Sequence, residues 1–161
     1  PSEMKSFILA DALKFGAVSC AGIGVGKELY THVVDIPSKI DLDPQFLLKS
    51  WKDAFGRARK FQLLTVVLGA TCGCGAFYFE KSSNRCVMYI MASTVLLSTL
   101  AWTSTALFSA NKILCEKDGI SHTEQRWLQD RIREWKRIHF WKLLLYTASL
   151  CGFMFALWVH G

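Results

Sequence analysis

Four blocks of apolar residues, each long enough to cross a bilayer as a helix, leave this chain little freedom in what it can fold into. They run from Phe7 to Val33, Phe61 to Phe79, Cys86 to Phe108 and Phe140 to Val159. A hydrocarbon core roughly 30 Å thick takes about 20 helical residues. Inside it every backbone N–H and C=O must find its partner within the protein, which favours helices. A soluble domain of 161 residues would have its apolar positions interrupted far more often. The expected fold is all-α: a four-helix transmembrane bundle with interfacial amphipathic helices on one side. The four spans and their connections use nearly the whole chain, so residues 1–161 are expected to form a single four-span membrane domain with both ends on one side.

Charge fixes the orientation. The net charge is +6, and the basic residues collect in two connections. Lys39, Lys49, Lys52, Arg57, Arg59 and Lys60 lie between the first and second spans; Lys112, Lys117, Arg126, Arg131, Arg133, Lys136 and Arg137 lie between the third and fourth. The opposite side has Lys5, Lys81 and Arg85. Under the positive-inside bias, both long basic loops should face the cytosol or the mitochondrial matrix. The endoplasmic reticulum and the mitochondrial inner membrane both remain open. This distribution suits a lipid bilayer partner and argues against a nucleic-acid binder, whose cations would share one face. No cleavable signal peptide is expected: the first block carries Asp11 and Lys14 near its start and runs on past any small-residue cleavage site.

The connections carry helical patterns of their own. Trp51, Phe55, Ala58 and Gln62 recur at helical spacing. Ser121 and Glu124 make a capping-box pattern, after which Leu128, Ile132, Trp135 and His139 fall on one stripe. That helix should lie at the interface or run into the fourth span as one rod. Within the spans, Gly22 with Gly26 and Gly69 with Gly73 form small-xxx-small faces that let helix backbones approach closely. Tyr78, Phe79, Tyr89, Trp102, Trp141 and Trp158 are placed at span ends, where amphipathic rings prefer the headgroups. Cys20, Cys72, Cys74, Cys86 and Cys151 lie within apolar blocks and act as small hydrophobes, and Cys72-Gly-Cys74 lacks zinc-site spacing.

No phosphate-binding loop, Gly-x-Ser-x-Gly elbow or His-Glu-x-x-His motif occurs. Candidate chemistry gathers instead where the first span ends, at Lys27, Glu28, Tyr30, His32, Asp35 and Pro37. Ionisable groups at membrane depth are expensive and tend to face a cavity or a partner. Glu28 and His32 are four apart, on one helical face, and a carboxylate beside an imidazole can move a proton. The competing reading has the helix already emerging into the headgroups, with Lys27 and His32 snorkelling. Arg57, Arg59, Gln62, Asn111, Lys112, Trp135, His139 and Lys142 lie at the same-side ends of their spans, so the topology puts one polar and aromatic mouth at that end. A charged collar without a ligand is the alternative there.

These residues carry a resemblance. Leu29-Tyr30, with Asp35 two before Pro37, resembles the end of the first span in the small four-span membrane family that includes the fungal anthrone oxygenases. Trp51, Phe55, Arg57 and Gln62 are similar to that family's approach to its second span. Thr103, Asn111, Lys112 and Leu114 match the end of its third, and Trp135, His139 and Lys142 the start of its fourth. The family's third-span prolines are Ala101 and Ser109 here, and its final arginine is Lys142. The resemblance implies oxidation of a hydrophobic aromatic or lipid-like substrate by O2, in the manner of an anthrone becoming an anthraquinone. It implies His139, with Asp35 or Tyr30, for proton abstraction and phenol binding, and Arg57 for developing negative charge. Trp51 and Trp135 would wall the rings, beside Gln62, Asn111 and His32. No metal and no cofactor are implied; haem held axially by His32 and His139 is a further alternative. A different class of function also fits: a non-catalytic accessory subunit of a larger membrane complex.

Overall fold

The computed structural model describes residues 2–80 and 82–158, and all the regular structure among them is helical. Helix α1 (Ser2–Tyr30) continues through a π-helical turn at Thr31–Asp35 into the short α2 (Ile36–Lys39); α3 spans Pro44–Phe79, α4 Ser83–Thr105, α5 Phe108–Glu116 and α6 Gln125–Trp158. Four stretches are long and apolar enough to cross a membrane: Phe7–Lys39, Pro44–Phe79, Asn84–Thr105 and His122–Trp158. This is an integral membrane protein built as a helical bundle. Around it, α1 packs on α3 and α6, and α4 packs on the same two helices from the other side.

The helices outrun the apolar blocks because the amphipathic connections join them without a break. Asp43 caps α3, accepting from the N–H groups of Gln45 and Phe46 at 3.0 and 3.1 Å, and Pro44 takes the first turn, where no N–H is needed. The expected capping box is present: the Glu124 carboxylate accepts from the Ser121 N–H at 3.1 Å and opens a one-turn 3-10 segment leading into α6. Of the two forms expected for that helix, the single rod is the one observed. The third span is shorter than expected, ending at Thr105, with a turn before α5. Val159 and His160, at the expected end of the fourth span, lie outside the described residues.

Small residues set the helix contacts, though only half of them as expected. A Cβ on Gly69 would lie 2.8 Å from both Cys20 Cβ and Leu96 Cδ2, and one on Gly73 would meet Ser93 and the Phe153 ring. On α1 the intimate contacts fall at Gly16, against Cys72, and Gly24, against Tyr146. Gly26 faces open space. Tyr89 is fully buried beside Phe153 and so faces the bundle instead of the lipid. Tyr78 and Trp158 are exposed, as expected of span ends.

A buried carboxylate at the floor of an aromatic cleft

Three helices bring a polar set together at the end of the bundle nearest the long loops. Glu28 comes from α1, Gln62 from α3, and His139 and Lys142 from α6, where a separation of three puts the last two on one face. Glu28 is completely inaccessible to solvent. Its Oε1 accepts from Lys27 Nζ at 2.8 Å and stands 3.1 Å from Lys142 Nζ; its Oε2 stands 3.2 Å from His139 Nε2. Lys142 also donates to Gln62 Oε1 at 2.8 Å and lies 3.3 Å from His139 Nε2. The Gln62 amide then donates to Thr103 Oγ1 at 3.1 Å and to the Thr99 carbonyl at 3.4 Å, tying α3 to α4. Burying a carboxylate in this setting is tolerable only because ammonium groups sit beside it. Two ammonium groups face one carboxylate, so the set attracts negative charge.

Pro37 helps place the next residue inward. It has no N–H for the carbonyl four residues earlier, and the helix answers by widening one turn into a π segment. The Ile36 N–H consequently bonds to Thr31 O, and the Thr31 hydroxyl turns back to Lys27 O at 3.0 Å. His32 lies in this widened turn, buried, with its ring 5.5 Å from that of His139 and edge-on to Phe140 at 5.8 Å. Three buried atoms of this region have no hydrogen-bond partner among the described residues: Glu28 Oε2, His32 Nε2 and His139 Nδ1.

Above this floor opens a cleft of about 710 Å³, counting the space open at its mouth, among α1, α2, α3 and α6. Trp51 stacks on Phe55 at 5.1 Å and meets Trp135 edge-on at 5.8 Å; Trp135 stacks on His139 at 4.2 Å. The indole N–H of Trp135 donates to Asn111 Oδ1 at 2.8 Å, which fixes its ring plane. The result is a wall of flat rings ending on an imidazole.

Of the residues singled out in the sequence, Asp35, Trp51, Gln62, Trp135 and His139 line this cleft. Asp35 is paired with Lys39 at 2.6 Å. Asn111 stands behind Trp135, and His32 behind His139. Tyr30 and Arg57 do not line it, and both are exposed. Helical periodicity explains both: around Tyr30 the lining positions are Lys27 and Thr31, and around Arg57 they are Ala54, Phe55, Ala58 and Arg59. Arg59 thus takes the place expected of Arg57. Lys27, Glu28 and Lys142 also stand in the polar clusters read from the sequence, and Thr103 in the resemblance, although the resemblance gives none of them a role in the chemistry. The signal for Glu28 was there, in its spacing from His32 and its depth in an apolar block.

Fold and site define a small four-span membrane protein with a charged, aromatic cleft at one end of its bundle. A family model described as anthrone oxygenase matches residues 51–152, and the chain belongs to that family. The match begins at Trp51, so Glu28, His32 and Asp35 lie outside it, while Gln62, Asn111, Trp135, His139 and Lys142 lie within. No curated protein and no solved structure matches the chain.

Proposed function

We propose that the cleft binds a flat, hydrophobic phenolic molecule of the anthrone kind, taken from the membrane, and that the protein catalyses its oxidation by O2. The observation that carries this reading is His139, stacked at the end of the ring wall with a buried carboxylate behind it. In this reading Nε2–H turns to Glu28 Oε2, 3.2 Å away, which leaves Nδ1 a proton acceptor with no partner among the described residues. The arrangement is that of a carboxylate orienting an imidazole base.

In this mechanism His139 takes a proton from the central CH2 of the bound anthrone, and the electron pair spreads into the ring carbonyl as an enolate. Lys142 and Lys27, already gathered around Glu28, favour the negative charge as it develops. The electron-rich carbon gives up electrons to O2 and bonds to it, and the resulting hydroperoxide loses water to leave a carbonyl. The balance is CH2 plus O2 giving C=O plus H2O. No cofactor takes part. The role expected of Arg57 passes to Arg59 at the mouth, and Tyr30 has none. Haem between His32 and His139 is not part of this reading, because their rings stand against each other.

The test is to reconstitute the protein in liposomes and follow O2 uptake and quinone absorbance with a simple hydroxylated anthrone. Expected is one O2 consumed per quinone formed, with His139→Gln slower by roughly 10²–10⁴-fold. Equal rates for wild type, His139→Gln and empty liposomes would overturn the reading. One observation favours the accessory-subunit alternative: Asp35–Lys39 and Asn111–Trp135 satisfy each other, as a structural collar would. Extraction in mild detergent distinguishes the two, since a subunit travels with a large complex. By the charge bias, the cleft opens toward the cytosol from the endoplasmic reticulum, or toward the matrix from the mitochondrial inner membrane.

A further inference from the structure

A second hollow lies on the outer side of the bundle, between α3 and the bend where α4 ends and α5 begins. It encloses about 1390 Å³, including the space open to the surroundings. It exists because α4 stops at Thr105 and the chain turns at Ala106 and Leu107 before resuming as α5. It shares Phe55, Arg59, Gln62 and Thr103 with the cleft, so these side chains stand between the two.

The lining changes character along its length. Leu63 and Leu100 form the end at membrane depth. Gln62, Thr103 and Ser104 form the middle. Arg59, Lys112, Cys115 and Glu116 form the end toward the long loops, with exposed Phe108 alongside. Arg59 makes no ion pair among the described residues, and Lys112 reaches Glu116 only at 3.9 Å. Apolar walls, then neutral polar groups, then a cationic end where Glu116 offsets one of the two charges follow the order of groups in a phospholipid read from chain to headgroup. The expected orientation puts this cationic end at the leaflet that carries anionic lipid.

We infer that this groove is a binding site for one anionic phospholipid, its acyl chain against Leu63 and Leu100 and its phosphate between Arg59 and Lys112. The inference does not depend on the proposed oxidation, since it concerns only what fills the outer groove. A lipid seated there would close the thin wall formed by Phe55 and Gln62.

The site can be tested on the intact protein in mild detergent, offered equal amounts of phosphatidylglycerol and phosphatidylcholine with the same chains. Native mass spectrometry should show a single phosphatidylglycerol retained in preference by about tenfold, falling toward parity in Arg59→Gln/Lys112→Gln. The same preference should survive in Arg126→Gln/Arg131→Gln, which removes two cations outside the groove. A second readout needs no variant. Cys115 lines the groove, whereas Cys74 and Cys151 are exposed elsewhere. Phosphatidylglycerol should therefore slow maleimide labelling of Cys115 several-fold and leave the other two unchanged. Absence of a preference in the wild type, equal loss in both double variants, or uniform labelling of all three cysteines would overturn the inference.

Discussion

The two ends of the bundle are held together by different physics. Toward the end away from the cleft, the core is made of Ala17, Ala21, Val66, Ala76, Ala92, Leu96 and Ala156 around Tyr89, Tyr146 and Phe153. Toward the cleft end it is made of Ile36, Leu47, Leu48, Trp51, Leu107, Leu114, Leu128, Ile132 and Trp135. The first is a core of alanines and a few rings; the second is one of large aliphatic and indole side chains. Lipid gives no hydrophobic reward for bringing helices together, so the first core gains from close approach and small residues. The second core lies where the rods leave the apolar blocks, and there burying large side chains from water is again favourable. The Glu28 set sits near the junction of the two, where neither mechanism alone holds the helices.

That contrast can be broken most strongly at the junction. Glu28→Leu removes the carboxylate and strands Lys142, which is only 2% exposed, without its buried counter-ion. The expected loss is about 3–5 kcal/mol, read as a fall in the thermal unfolding midpoint in detergent. Adding Lys142→Met should restore more than half of it, because the second change removes the stranded charge. If the two single losses merely add, the pair is not coupled and the junction is no more than a polar seam.

A smaller effect separates the cores themselves. Gly73→Ala forces a methyl against Ser93 and the Phe153 ring, both buried, and is expected to cost about 1–3 kcal/mol. Gly26→Ala adds the same methyl where no described residue lies within 4 Å and should leave the midpoint unchanged or slightly raised. Equal effects at the two positions would mean that close approach is not what organises the alanine-rich core.

The four spans were legible because hydropathy over twenty residues is a bulk property that tertiary context rarely overrides. The capping box at Ser121 and Glu124, and the stripe through Leu128, Ile132, Trp135 and His139, were legible for a local reason: each is fixed within one or two turns. Of the residues that line the cleft, Trp51, Gln62, Trp135 and His139 could be placed together because they lie on helix faces whose phase is followed from neighbouring apolar residues, and Asp35 because it stands two before Pro37. The exchange of Arg57 for Arg59 could not be seen from a motif that names a residue type without fixing its phase. The inward turn of His32 depends on a π segment, and spacing rules assume a regular helix. Glu28 was read together with His32, four residues on. Its observed partners Lys142 and His139 are more than a hundred residues away, and only the packing of α1 on α6 reveals them.

The smallest expected effect lies at the far end of the bundle, where charge does appear but in a different role. Glu80 closes α3 and accepts from the Ser82 N–H at 3.2 Å, with Lys14 at 3.3 Å and Arg85 at 3.4 Å. Burial pushes its carboxyl upward, but the Ser82 amide, Lys14 and Arg85 outweigh that and hold it below the usual glutamate range. A carboxyl lowered on folding stabilises the protein above its unfolded pKa, and that contribution is lost as pH falls through the folded value. The midpoint of Glu80→Gln should therefore lie below that of the wild type near neutral pH. The gap should close as both are acidified below the ordinary glutamate range. Measuring both proteins at each pH removes the effect of other carboxyls, which titrate in both. A gap of constant size would mean that Glu80 holds the α3–α4 turn through hydrogen-bond geometry that glutamine lacks, with its charge contributing nothing. The apolar end would then rest on packing alone, and the contrast with the Glu28 junction would be sharper still.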